Sequence, residues 1–241
     1  MALPILVAPK YELVLPSTGK TYSYRPFLVK EEKVLLMAME GNDEKEMISA
    51  IKQIISSCVE NIDVNILPTF DLEYVFLKLR AKSVNDKVTF NVKHANNINS
   101  KGEDCDGGRA VTIDLNKVEV VKTPGHTNKI QLNDQVGLIM KYPNIEISET
   151  AKNTDSDTEN VFDMIKKCIE SVFDTERTYS PSDYTPKEMD TFIDSLTNQQ
   201  LEDIQKFFET MPKLKYEMKW KCEKCGCEEV VLLEGLNNFF T

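Results

Sequence analysis

Between residues 1 and 30 apolar and polar positions alternate, with Tyr11, Leu13 and Leu15 on one face of an extended segment. Pro16-Ser17-Thr18-Gly19 has turn composition and Lys20 to Phe27 returns as a second strand, so a β-hairpin is predicted. The period then changes. From Lys30 to Met39 the residues Val34, Leu35, Met37 and Ala38 cluster at helical spacing, and Gly41-Asn42-Asp43 ends the run. Asp43 is placed to cap a second helix reaching about Glu60, whose apolar stripe is Met47, Ile48, Ile51, Ile54, Ile55 and Cys58. Leu72, Val75, Phe76 and Leu79 predict a third helix from Asp71 to about Lys82, capped by Thr69 or Asp71. Lys30-Glu31-Glu32-Lys33 reads as a solvated, charge-mixed face.

The middle of the chain returns to period two. Lys87 to His94 alternates through Val88, Phe90 and Val92, and Ala110 to Val121 through Val111, Ile113, Leu115, Val118 and Val120. A polar, Gly- and Asn-rich loop, Ala95 to Gly108, separates them. Lys129 to Leu132 and Gly137 to Tyr142 read as further short strands of an antiparallel sheet. Residues 143–158 are polar and read as a linker or a surface loop with a helix cap. A helix from Glu159 to about Ser171 follows, then an irregular aromatic stretch, Phe173 to Thr185. Pro186 opens a helix striped by Met189, Phe192, Ile193 and Leu196. Another runs from Gln199 to Thr210, burying Leu201, Ile204, Phe207 and Phe208, and stops at Met211-Pro212. Lys213 to Lys221 and Cys227 to Leu233 form a last hairpin around Cys222-Glu223-Lys224-Cys225-Gly226.

The expected class is therefore α+β: an N-terminal hairpin, two helical sets, a middle antiparallel sheet and a C-terminal, zinc-ribbon-like hairpin. Two lobes are expected, residues 1–142 and 143–241, with their packing as one unit left open. No fixed-period repeat is present.

Hydrophobic residues at 41% and charged residues at 28% suit a globular chain with a core. At roughly 100–200 residues per domain, the 241 residues allow one large domain or two small ones. Lys and Arg number 29 against 39 Asp and Glu, a net charge of −10. Such a balance argues against wrapping DNA or RNA, because phosphate contacts need clustered cations. No stretch approaches the roughly 18–20 apolar residues of a membrane span. The start MALPILVAPK has a short apolar run beside Pro4 and Pro9 and does not read as a signal peptide, so an intracellular chain with reduced cysteines is expected.

Cys58 and Cys168 fall in amphipathic stripes and read as small core residues. Cys222, Cys225 and Cys227 crowd one turn more densely than packing requires. Cys222-x-x-Cys225-Gly226 between two strands has the form of a zinc knuckle, in which both thiolates face one ion and the glycine turns backbone amides toward the sulfurs. Structural zinc takes four ligands. Cys227 is a third candidate, and the fourth is sought among His94, Cys105, His126 or a second chain. A complete ribbon would carry a second Cys-x-x-Cys, whereas the comparable turn here reads His94-Ala95-Asn96-Asn97, with Cys105 after a loop. Bound zinc and a metal-free turn with packed cysteines both stay open. A redox role is disfavoured by the lack of a βαβ context. Asp104-Cys105-Asp106-Gly107-Gly108 lacks the full calcium-loop pattern and any phosphate-loop lysine. Both histidines lie in polar stretches and read as solvated. With no serine elbow and no paired-histidine motif, the expectation is a protein that is not an enzyme. Among the aromatic residues near the C-terminus, Phe207 and Trp220 read as core. Phe239 and Phe240 are candidate partner-binding anchors, or a tail strapped onto its own domain.

Several phrases occur in a fixed order: Leu15-Pro16-Ser17-Thr18-Gly19, then Arg25 to Lys33, Leu79-Arg80-Ala81-Lys82-Ser83-Val84, Ile113-Asp114-Leu115, Lys141-Tyr142-Pro143, and Cys222-x-x-Cys225-Gly226 followed by Asn238-Phe239-Phe240. Together they resemble the baseplate hub assembly proteins of T-even-type contractile-tailed bacteriophages, over nearly the whole chain. The middle hairpin, with His94 and Asn97, is where the chain departs from that pattern. The resemblance implies a late viral tail morphogenesis factor, a hub subunit or an assembly chaperone, with hub and tape-measure proteins as partners. It implies a place in the host cytoplasm during assembly and in the tail baseplate of the virion; a homo-oligomer stays open. The competing reading is a zinc-ribbon nucleic-acid-binding module, which the net charge disfavours.

Overall fold

The computed structural model describes residues 6–41, 43–150 and 156–239. Strands β1 (Tyr11–Val14) and β2 (Thr21–Tyr24) pair antiparallel, Tyr11 opposite Tyr24 and Val14 opposite Thr21. The turn between them is pinned from a distance. Asp71, fully buried, accepts the Ser17 amide at 3.1 Å and the Ser17 hydroxyl. Helices α1 (Val29–Gly41), α2 (Glu44–Cys58) and α3 (Thr69–Ser83) follow. Asp43 caps α2 by accepting the Lys45 amide, and α2 buries Ile51, Ile54, Ile55 and Cys58 as its period predicts. Thr69 and Asp71 lie within the first turn of α3 rather than before it. The charged start of α1 differs from a solvated face: Glu31 is buried, accepting Arg25 Nη2 at 2.9 Å and the Leu28 amide at 2.8 Å. Burial alone would raise the Glu31 pKa, and those donors outweigh it and hold the carboxylate below its usual range.

Strands β3 (Lys87–Lys93) and β4 (Gly108–Asp114) form a two-stranded sheet, and β5 (Glu119–Val121) stands apart from it. The sequence pattern predicts one strand over 110–121; the structure breaks it with a 3-10 turn at Leu115–Lys117. Asp114 causes the break by accepting both the amide and the side-chain NH2 of Asn116 at 2.9 Å. The alternation itself slips there, from odd positions up to Leu115 to even positions from Val118.

Strands β6 (Lys129–Gln131) and β7 (Gly137–Met140) precede helices α4 (Ile145–Thr150) and α5 (Asp157–Cys168). A helix thus occupies part of the passage read as a linker. Helix α5 ends at Cys168, short of the predicted Ser171, and Ile169–Phe173 becomes β8, paired with β7. Cross-strand pairing of Val172 with Leu138 and Ser171 with Ile139 overrides the helical period there. Strand β9 (Thr178–Tyr179) completes the sheet in the order β6-β7-β8-β9. Helices α6 (Pro186–Asp194) and α7 (Asn198–Thr210) both start with capping boxes, Thr185 with Glu188 and Thr197 with Gln200. Strands β10 (Lys213–Lys221) and β11 (Glu228–Glu234) form the last hairpin, in a sheet ordered β11-β10-β5.

The chain forms two compact units. One takes the described residues of Met1–Val64, Phe70–Val121 and Lys213–Thr241; the other takes Asn65–Thr69 and Lys122–Pro212. The division differs from a single boundary near residue 143 because β10 returns to pair with β5, Lys213 opposite Val121 and Lys215 opposite Glu119. The C-terminal hairpin therefore belongs with the N-terminal elements. The second unit has its own continuous core of Ile130, Leu138, Met140, Ile165, Cys168, Ile169, Met189, Ile193, Ile204 and Phe207.

Candidate metal centre

Four side chains of the first unit converge at the tips of two hairpins. His94 follows the last residue of β3 and Cys105 precedes β4; Cys222 follows β10 and Cys225 precedes β11. One ligand atom from each lies within 4.8 Å of all the others, so the group can hold a metal ion. Cys105 Sγ and Cys222 Sγ are 3.8 Å apart, and Cys225 Sγ is 3.3 Å from His94 Nε2. His94, Cys105 and Cys222 are buried and Cys225 is half-buried.

The loop from His94 to Cys105 closes on itself to bring these two together. The Asn99 side-chain oxygen accepts the Lys101 and Glu103 amides at 2.9 and 3.0 Å. Ile98 bridges Asp104, and the Cys105 amide donates to Asn97 O. Asn96 and Asn97 take φ of 53° and 58°, a left-handed backbone that asparagine tolerates better than most residues. On the opposite hairpin Gly226, at φ 72°, closes the Cys222–Cys225 turn with its amide on Cys222 O at 3.0 Å. Gly107 makes room for the cluster: a Cβ there would stand 2.7 Å from Cys222 Sγ and 3.2 Å from Cys105 Sγ. The segment Cys105-Asp106-Gly107-Gly108 thus forms a second Cys-bearing turn facing the Cys222–Cys225 turn.

Backbone amides face the sulfurs. Those of Cys225 and Lys224, with His94 beside them, hold the Cys222 thiol below its usual range despite burial. The Cys227 amide is the largest influence that brings Cys225 down to about 6. For Cys105 the Gly107 amide pulls downward, but burial and the neighbouring Cys225 and Cys222 sulfurs outweigh it and raise the thiol. Burial pulls the His94 imidazole down, while hydrogen bonds to Cys222, Glu229 and Cys225 overcome it and carry it up to about 9. His94 Nδ1 lies 2.6 Å from Glu229 Oε1. With Nδ1–H donating to that carboxylate, Nε2 is left free to bind an ion. The Trp220 ring packs against the imidazole at 5.0 Å.

His94 is therefore buried in the cluster, not solvated. Cys227 lies outside the four-residue group, although its carbonyl accepts the Cys222 amide at 2.9 Å. His126 is half-buried in the second unit, with ring nitrogens 3.0 Å from the Tyr142 hydroxyl and 2.9 Å from the Thr210 hydroxyl. Phe239 is fully buried and so is part of the interior rather than a free anchor; Phe240 lies outside the described residues. The tail is strapped by Glu73, whose Oε1 accepts the Leu236 amide at 3.2 Å. Burial raises the thiols of Cys58 to about 11 and Cys168 to about 12, as suits inert core residues. His94 and Cys105, both candidates from the sequence, join Cys222 and Cys225 in the group, whereas the third candidate of the turn, Cys227, does not.

Three cations near these tips pair with carboxylates. Lys224 pairs with Asp106, Arg109 with Glu223 at 3.7 Å, and Lys221 with Glu228 at 3.6 Å. A nucleic-acid reading would need a contiguous unpaired stripe there, so it gains no support. Among the described residues no helix is long and apolar enough to cross a membrane. Comparison with curated proteins and with solved structures returned no match. The family model described as T4 bacteriophage base plate protein matches residues 8–241, nearly the full chain that carries both Cys-bearing turns and both units. The chain belongs to the T4 bacteriophage base plate protein family.

Proposed function

We propose that this protein works at the baseplate hub, as a subunit or as an assembly chaperone, by binding hub or tape-measure proteins while the contractile tail is built. It acts in the host cytoplasm and without catalytic turnover. Membership of the base plate family across residues 8–241 is the observation that carries this reading.

The surface of α1 supports it. That helix packs on α2 yet leaves Val29, Leu36, Met37 and Met39 exposed. A cluster of exposed apolar side chains on one helix suits a surface that a neighbouring baseplate subunit covers. Methionines adapt to a partner's shape, which serves a factor that handles more than one contact. The buried Phe239 shifts the expected anchor from the C-terminal tail to this helix.

The metal cluster fits the same reading. Three thiolates and one imidazole are the donor set of structural zinc, which is closed, whereas catalytic zinc keeps an open position. Zinc here is structural.

Phage lacking the gene should fail to complete baseplates, and the tagged chain should co-purify with hub or tape-measure proteins. Leu36→Asp with Met37→Asp should abolish that capture while leaving the melting temperature unchanged. Normal baseplates without the gene would overturn the proposal. Mass spectrometry of mature particles separates a resident subunit, which is present, from a chaperone, which is not.

A further inference from the structure

We infer that the zinc ion is a clip between two hairpins that share no hydrogen-bond ladder, held by His94 Nε2 and the thiolates of Cys105, Cys222 and Cys225, with Cys227 outside the coordination sphere. This rests on reading the cluster as a zinc centre.

Two of the donor–donor distances match tetrahedral edges, and all lie within 4.8 Å. Thiolates bound at about 2.3 Å stand about 3.8 Å apart across a tetrahedral edge. Cys105 and Cys222 are separated by 3.8 Å. An imidazole nitrogen at about 2.0–2.1 Å and a thiolate at about 2.3 Å stand roughly 3.6 Å apart; Cys225 and His94 are at 3.3 Å. The hairpins need only small movements to close on the ion. Glu229, behind His94, orients the ring in the way a carboxylate commonly supports a zinc-bound histidine.

The clip role follows from topology. Among the described residues β3 and β4 pair only with each other, and β10 pairs with β11 and β5. Between the two sheets lies an open groove of about 610 Å³, lined by Arg109–Thr112 of β4 and by Lys219–Lys221 of β10. Each hairpin supplies two of the four donors. The ion therefore joins the sheets at their tips, where backbone pairing does not. Lys224–Asp106 and Arg109–Glu223 also cross between the hairpins, but these pairs are largely exposed and contribute little, and the buried crossing contact, His94 to Glu229, belongs to the same cluster. Cys227 starts the return toward β11, and its carbonyl is used in closing the turn on the Cys222 amide.

The test uses the full chain purified without added metal. Zinc content is measured by elemental analysis, and amide hydrogen exchange is followed before and after a zinc chelator. The expected result is about one zinc per chain. Removal should speed exchange about tenfold or more in residues 94–108 and 222–227, and leave α6 and α7 unchanged. Cys105→Ser should lose the ion and Cys227→Ser should retain it. Zinc-free protein overturns the zinc reading itself. Zinc-bearing protein whose exchange is indifferent to chelation overturns the clip alone. Loss of zinc in Cys227→Ser, with retention in Cys105→Ser, overturns the ligand set. The chelation arm on the unaltered chain decides the clip even where a variant fails to fold.

Discussion

The β6–β9 sheet with its helices and the paired tips of β3–β4 and β10–β11 are held by different chemistry. In the first region the interior is a continuous set of apolar side chains, from Leu138 and Met140 on the sheet to Ile165, Ile204 and Phe207 on the helices. In the second, the buried groups at the tips include an imidazole and thiols, backed by a carboxylate and with the Trp220 ring against the imidazole. A helix brings a broad apolar stripe to a sheet, so hydrophobic burial suffices there. A hairpin tip offers only a few short side chains and exposed turns. Polar donors buried at such a tip are costly unless they are satisfied together, and a single bound ion would satisfy all four.

The comparison breaks most sharply at Cys222. Cys222→Ser should remove the ion and release the two tips, read as loss of bound zinc and of exchange protection confined to residues 94–108 and 222–227. The second region should keep its protection. Ile204→Ala is the converse experiment. Its side chain is fully buried, so truncation should cost about 2–5 kcal/mol, equally with and without chelator, by denaturant melting. A chelator-dependent cost would tie the two regions together and refute their independence. Phe239→Ala should cost about 3–5 kcal/mol in the first unit while partner capture, corrected for folded fraction, stays unchanged.

Helices α2, α6 and α7 were readable from the sequence because each carries an apolar stripe. Asp43 and Pro186 mark the starts of α2 and α6, and in all three the apolar residues repeat at helical spacing; the structure adds the caps Thr185 and Thr197. The end of α5 was not readable, since Ile169 and Val172 suit either period and only pairing with β7 decides. Half of the metal cluster was legible in the compact Cys222-x-x-Cys225-Gly226. The other half depends on an asparagine-rich loop folding back on itself, which puts Cys105 beside His94 through hydrogen bonds that spacing does not reveal. The tail phenylalanine looked like an anchor because terminal residues carry no periodic context; Glu73, on α3, is what draws the tail inward.

Smaller perturbations sharpen the contrast. Glu229→Gln keeps the shape of the His94 partner but removes its charge, so zinc affinity should fall about 10–100-fold, by competition with a chromophoric chelator. The fold of the second region should not respond. Thr197→Ala removes one cap of α7 and should cost about 1 kcal/mol, with zinc affinity unaltered.

Zinc-edge X-ray absorption on the intact chain tests the metal clip most directly, because it counts the donors around the ion. The account predicts three sulfurs at about 2.3 Å and one imidazole nitrogen at about 2.0–2.1 Å. Four sulfurs with no imidazole would place Cys227 in the shell and His94 outside it, and would contradict the clip as drawn.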